Sequence, residues 1–74
     1  MQYDYSKLSG RIVEKFGSRK AFAGAMGMEP TTLSMKLNNK QCWSQLQISK
    51  AVELLEIPAE KIQIYFFTLT VQSA

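Results

Sequence analysis

Apolar residues recur at the spacing of an α-helix through most of this chain. Leu8, Ile12, Val13 and Phe16 share one face of a first segment, residues 4–16, with Asp4 or Ser6 able to cap its start and Gly17 to stop it. Ser18 can cap a second, shorter segment in which Phe22, Ala23 and Met26 share a face, and Gly27 stands where a left-handed residue would end it. Pro30 has no N–H to leave unpaired and a φ already set for a helix, so a third helix is expected over residues 30–39. The polar run Asn38-Asn39-Lys40-Gln41 predicts a loop. Ser44 and Gln47 then fall at capping-box spacing, flanked by Trp43 and Ile48 as a hydrophobic staple. Behind them Ile48, Ala51, Val52 and Leu55 form a core stripe that ends near Ile57-Pro58, and residues 58–66 fit a short fifth helix.

The period then changes. Tyr65, Phe67, Leu69 and Val71 alternate with Phe66, Thr68, Thr70 and Gln72, a two-residue repeat rich in strand formers with no evident partner strand elsewhere in the chain. The expected fold is all-α, a compact bundle of four to five helices in residues 1–67, followed by an extended tail, residues 68–74, of strand character. Such a tail can pair two subunits, cover the core or fray. Tyr65, Phe67, Leu69 and Val71 are accordingly the candidate dimer or partner interface.

Composition narrows the functional classes. Seventy-four residues, 46% hydrophobic and 20% charged, make one small globular domain that needs no cofactor to fold. Cys42 is the sole cysteine and there is no histidine, so neither an internal disulfide nor a Cys/His zinc set is available, which points to a reducing cytoplasm. No signal peptide and no apolar run approaching the roughly 20 residues of a membrane span are present. These features predict a protein of the cytoplasm with no membrane partner. Without a nucleophile–base pair, a phosphate-binding glycine loop or room for a deep pocket, neither catalysis nor a small-molecule substrate is expected. Residues 1–50 hold eight Lys/Arg against Asp4, Glu14 and Glu29, a net of +5, whereas the remaining residues net −2. That asymmetry suits a module meeting a polyanion at one end and a protein at the other.

The most informative region is residues 19–39: two short helices joined by Gly27-Met28-Glu29, the arrangement of a helix-turn-helix. Ala23 is small where the helices would cross, Gly27 permits the turn, and Leu33 can plug into the core. At 100° per residue Leu33 and Leu37 define the buried side of the third helix. Thr31, Met35, Asn38 and Asn39 then face the other way, with Thr32 and Ser34 at the edges. Short hydroxyls, amides and a thioether suit the floor of a DNA major groove, so Thr31, Thr32, Met35, Asn38 and Asn39 are candidate base-reading residues. Arg19, Lys20, Ser34, Lys36 and Lys40 surround that face as candidate phosphate contacts.

At these residues the sequence resembles the Cro/C1-type, or lambda-repressor-like, helix-turn-helix family of phage regulators, including a group of short phage proteins. The likeness is carried by Tyr5-Ser6-Lys7-Leu8-Ser9-Gly10-Arg11-Ile12, by Lys20-Ala21-Phe22-Ala23 with Met26-Gly27, and by Thr32-Leu33-Ser34 with Lys36-Leu37-Asn38-Asn39-Lys40. Ile62 with Tyr65-Phe66-Phe67 extends it over nearly the whole chain. The resemblance implies a five-helix fold, a homodimer on a pseudo-palindromic double-stranded DNA operator in a bacterial host, and a part in the choice between lysis and lysogeny. Two departures stand out: Pro30 and Thr31 replace the residues that many relatives use to read bases, and Lys36 stands where many place an aliphatic side chain.

Two functions follow. The first is a Cro-like, sequence-specific transcriptional regulator with its third helix in the major groove. The alternative is a modulator of repression, which keeps the fold but docks onto a partner phage repressor. The helix-turn-helix spacing ringed by cations makes the first the leading reading, while the modest net charge of +3, a reading face without arginine and an apolar tail speak for the alternative.

Overall fold

The computed structural model describes residues 2–70. Five α-helices follow in order: α1 (Ser6–Phe16), α2 (Arg19–Met26), α3 (Pro30–Leu37), α4 (Gln45–Leu55) and α5 (Ile62–Phe66), with a single 3-10 turn, Ala59–Lys61, leading into the last. No strand longer than an isolated bridge forms among the described residues.

The helix starts lie where local chemistry puts them. Ser18 Oγ accepts from Ala21 N–H at 3.1 Å, Pro30 occupies the first turn of α3, and Ser44 with Gln47 forms a complete capping box at 3.1 and 3.0 Å. Tyr5 precedes α1 without a side-chain cap, and Asp4 Oδ1 takes the Ser6 N–H at 2.8 Å in its place.

Three helix ends close by the same device. After α2, Gly27 lies at φ 75°, with Met28 N–H donating to Ala23 O at 2.9 Å. After α3, Asn39 lies at φ 62°, with Lys40 N–H on Met35 O at 2.8 Å, and after α4, Glu56 lies at φ 53°, with Ile57 N–H on Val52 O at 3.0 Å. In each, a left-handed residue lets the next N–H satisfy a carbonyl of the final turn. Glycine and asparagine reach that geometry readily, whereas glutamate does so against its Cβ.

The core gathers Leu8 and Ile12 of α1, Phe22 and Ala23 of α2, Leu33 of α3, Ala51 and Leu55 of α4 and Phe66 of α5. Phe16 meets Phe22 edge-on at 5.3 Å, which fixes α1 against α2. Arg11 Nε donates to Leu55 O at 3.0 Å and Lys15 pairs with Glu56 at 2.6 Å, so α1 also caps the end of α4.

Three expectations require correction. Val13 is 51% exposed: the buried stripe of α1 runs through Leu8 and Ile12, and Val13, one residue further round the helix, falls outside it. The segment after α5 does have a partner within the chain, because Tyr3 and Leu69 form an antiparallel bridge. The alternation read from Tyr65 onward also starts too early, since Tyr65 and Phe66 complete α5. Val71 lies outside the described residues.

Candidate recognition surface

Helices α2 and α3 pack against each other, with Ala23 and Leu33 both fully buried and Gly27 turning the chain between the two helices. That crossing orients α3 and leaves Thr31 and Asn38 exposed, with Thr32, Ser34 and Met35 half-buried beside them. Asn38 Nδ2 reaches Ser34 Oγ at 3.4 Å, and Gln41 Nε2 lies 3.8 Å from Met35 Sδ. The outward face of α3 is therefore polar, uncharged and small, as its sequence predicts.

The cations divide. Arg19 and Lys20 at the start of α2 and Lys40 after α3 are exposed, and Arg19 Nη2 donates to Ser9 Oγ at 3.3 Å. Lys36 points the other way. It is only 5% exposed and its Nζ donates to Cys42 O at 2.8 Å, tying the loop after α3 to the helix. Leu33, Lys36 and Leu37 are the buried residues of α3, spaced at i, i+3 and i+4, so the aliphatic stem of Lys36 fills a core position. Its expected place among the phosphate-facing cations is corrected accordingly.

Asn39 is likewise committed inward. Its amide accepts from Tyr3 N–H at 2.9 Å and donates to Tyr3 O at 2.8 Å, a paired contact that occupies the groups a base would need. The left-handed backbone at Asn39 swings the side chain off the α3 face and toward the N-terminal segment.

A second surface adjoins that contact. Tyr3, Tyr5, Trp43, Phe66 and Phe67 line a groove of about 390 Å³, with Asn39, Gln41 and Cys42 among its remaining walls. The rings form a chain: Phe66 to Trp43 at 5.3 Å, Trp43 to Tyr5 at 6.4 Å, Tyr5 to Tyr3 at 6.2 Å and Tyr3 to Phe67 at 5.8 Å. Burial, followed by the neighbouring Tyr3 and Cys42, raises the pKa of the Tyr5 hydroxyl above its ordinary value. Trp43 Nε1 is buried with no hydrogen-bond partner among the described residues. Of the residues read as an interface, Tyr65 is half-buried, while Phe67 and Leu69 are 44% and 47% exposed. The N-terminal half of this groove, Tyr3 and Tyr5, carries no periodic signal in the sequence because it precedes the first helix.

No helix among the described residues is long and apolar enough to cross a membrane. No group of three or more His, Cys, Asp or Glu among them is placed to hold a metal ion.

Residues 1–69 match the model of a family described as protein of unknown function (DUF739). The chain belongs to this family. No curated protein matches it. Among solved structures, the chain is 49% identical to the modulator of repression (MOR) of the temperate bacteriophage TP901-1 from Lactococcus lactis, a solution structure. The similarity covers 90% of both chains with a TM-score of 0.78, so the helical architecture is common to the two.

Proposed function

We propose that this DUF739 protein is a modulator of repression: a non-catalytic, single-domain phage protein that acts in the host cytoplasm by binding a partner phage repressor. The observation that carries this reading is the 49% identity, over 90% of each chain, to a protein that bears that name. The recognition surface supports it. With Lys36 turned into the core and Asn39 held by Tyr3, α3 retains fewer groups for gripping and reading a duplex than its sequence promised. Exposed Phe67 and Leu69 beside an aromatic groove supply the apolar anchors that protein interfaces favour.

A Cro-like DNA-binding role is the second reading. It is favoured by the helix-turn-helix crossing of α2 and α3 and by exposed Thr31 and Asn38 beside the cations Arg19, Lys20 and Lys40. In that reading a homodimer would set half-sites about one DNA turn, roughly 34 Å, apart.

Titration separates the two. The protein is mixed with the intergenic DNA beside its own gene at several salt concentrations, with and without candidate partner phage repressors. Tight capture of the repressor, with only weak and sequence-blind DNA binding, is the expected result. Specific DNA binding by the protein alone, with a steep salt slope and no repressor complex, would instead establish the DNA-binding role.

A further inference from the structure

Residues 2–4 use both edges of their backbone. On one edge, Tyr3 N–H and Tyr3 O are paired with the Asn39 side-chain amide at 2.9 and 2.8 Å. On the other, Asp4 N–H donates to Thr68 O at 2.7 Å and Gln2 O accepts from Thr70 N–H at 2.9 Å. The geometry follows from an extended chain, in which the N–H and C=O of one residue point to one side and those of its neighbours to the other. In the antiparallel bridge, Tyr3 and Leu69 face each other as a non-hydrogen-bonded pair, which leaves the polar groups of Tyr3 free for Asn39. The Asn39 amide thus stands in for a third strand, and the left-handed φ of 62° aims it there.

We infer that residues 2–4 are a strap that couples the C-terminal end of α3 to the segment after α5, holding or releasing the two together. Tyr3 is the shared element. Its backbone is fastened to Asn39, the left-handed residue just past the C-cap of α3, and its ring packs edge-on against Phe67 at 5.8 Å, within the wall of the aromatic groove. A short ribbon of this kind has little stability alone, so loss of one edge leaves the other with too few contacts to persist. A partner seated on Phe67 and Leu69 therefore alters the setting of Asn38 and Met35 without touching them, and the coupling runs equally in reverse. This holds whichever macromolecule occupies either surface.

The test is amide hydrogen exchange on the full chain carrying Asn39→Gly, which tolerates the left-handed backbone and removes only the amide. The Asp4 and Thr70 amides, which Asn39 does not touch, are expected to exchange faster by about fivefold or more, along with the Tyr3 amide. Leu33 and Leu55 amides, in core helices, keep their wild-type protection. Asn39→Asp, which retains an acceptor for Tyr3 N–H and loses the donor, gives an intermediate effect at the same three sites. Release also opens the groove, so acrylamide quenching of Trp43, the sole tryptophan, rises in both variants. Faster exchange confined to Tyr3, or an equal acceleration at Leu33, Leu55 and Thr70 in both variants, would overturn the strap. The first result would mean two independent contacts, and the second global unfolding.

Discussion

Replacing Lys36 is expected to damage the fold, and the damage should exceed that from the exposed Lys40 four residues later. Lys36 is 5% exposed and its ammonium donates to Cys42 O at 2.8 Å. Lys36→Ala removes three stem methylenes, each contributing about 0.8 kcal/mol when buried. It also removes a hydrogen bond from a charged donor, about 1.5–3 kcal/mol. The side-chain entropy regained in the unfolded chain and the desolvation of the ammonium offset part of this. A net loss of about 2–4 kcal/mol remains. Lys36→Met keeps the stem and loses only the bond, so about 0.5–2 kcal/mol is expected. Urea denaturation followed by circular dichroism measures both, and each kcal/mol should lower Tm by about 4–8 °C in a domain of this size. Lys40→Ala should stay within about 0.5 kcal/mol of wild type. If Lys36→Ala proves as mild as Lys40→Ala, the inward placement of Lys36 is wrong and its ammonium belongs with the solvent-facing cations.

Three further outcomes follow from the helix ends and the surface charge. Gly27→Ala should cost about 1–2 kcal/mol, because its φ of 75° is hostile to a Cβ although no atom crowds the site, whereas Gly24→Ala within α2 should stabilise by about 0.5–1 kcal/mol; equal effects in thermal melts would contradict the left-handed cap. Ser44→Ala breaks the capping box of α4 and should cost about 0.5–2 kcal/mol, seen as a lower urea midpoint with an unchanged slope. Glu56 is held below its ordinary pKa by the hydrogen bond and charge of Lys15, so its contribution is present above the unfolded value, about 4.3, and vanishes as pH falls through the lower folded value. The Tm gap between wild type and Lys15→Met should therefore close in acid, and a gap that persists at about pH 2 would remove the pair from the account.

What the sequence made legible was local. Ser18 and the Ser44–Gln47 pair mark helix starts because each meets its partner within one turn, Pro30 because its φ is preset and it has no N–H to satisfy, and Ala23, Gly27 and Leu33 mark the crossing of α2 and α3 because their spacing is fixed by helix geometry. Lys36 escaped because a lysine is ordinarily solvated. Its position three residues after Leu33 and one before Leu37 was nonetheless a core position at helical spacing. Asn39 showed its turn chemistry, since asparagine tolerates the left-handed region, but not its ligand: Tyr3 lies 36 residues away in sequence. The bridge between Tyr3 and Leu69 was hidden for the same reason, because a segment as short as residues 2–4 shows no period of its own. The aromatic groove, assembled from both ends of the chain and the loop before α4, inherits that invisibility.

Whether this family member binds a phage repressor is decided by isothermal calorimetry of the purified protein against candidate phage repressors, without DNA. A saturable complex of defined stoichiometry is expected, weakened by Phe67→Ala and Leu69→Ala in variants that keep wild-type melting. No heat of binding to any of these repressors, together with specific, salt-sensitive binding to the adjoining operator DNA, would contradict that expectation.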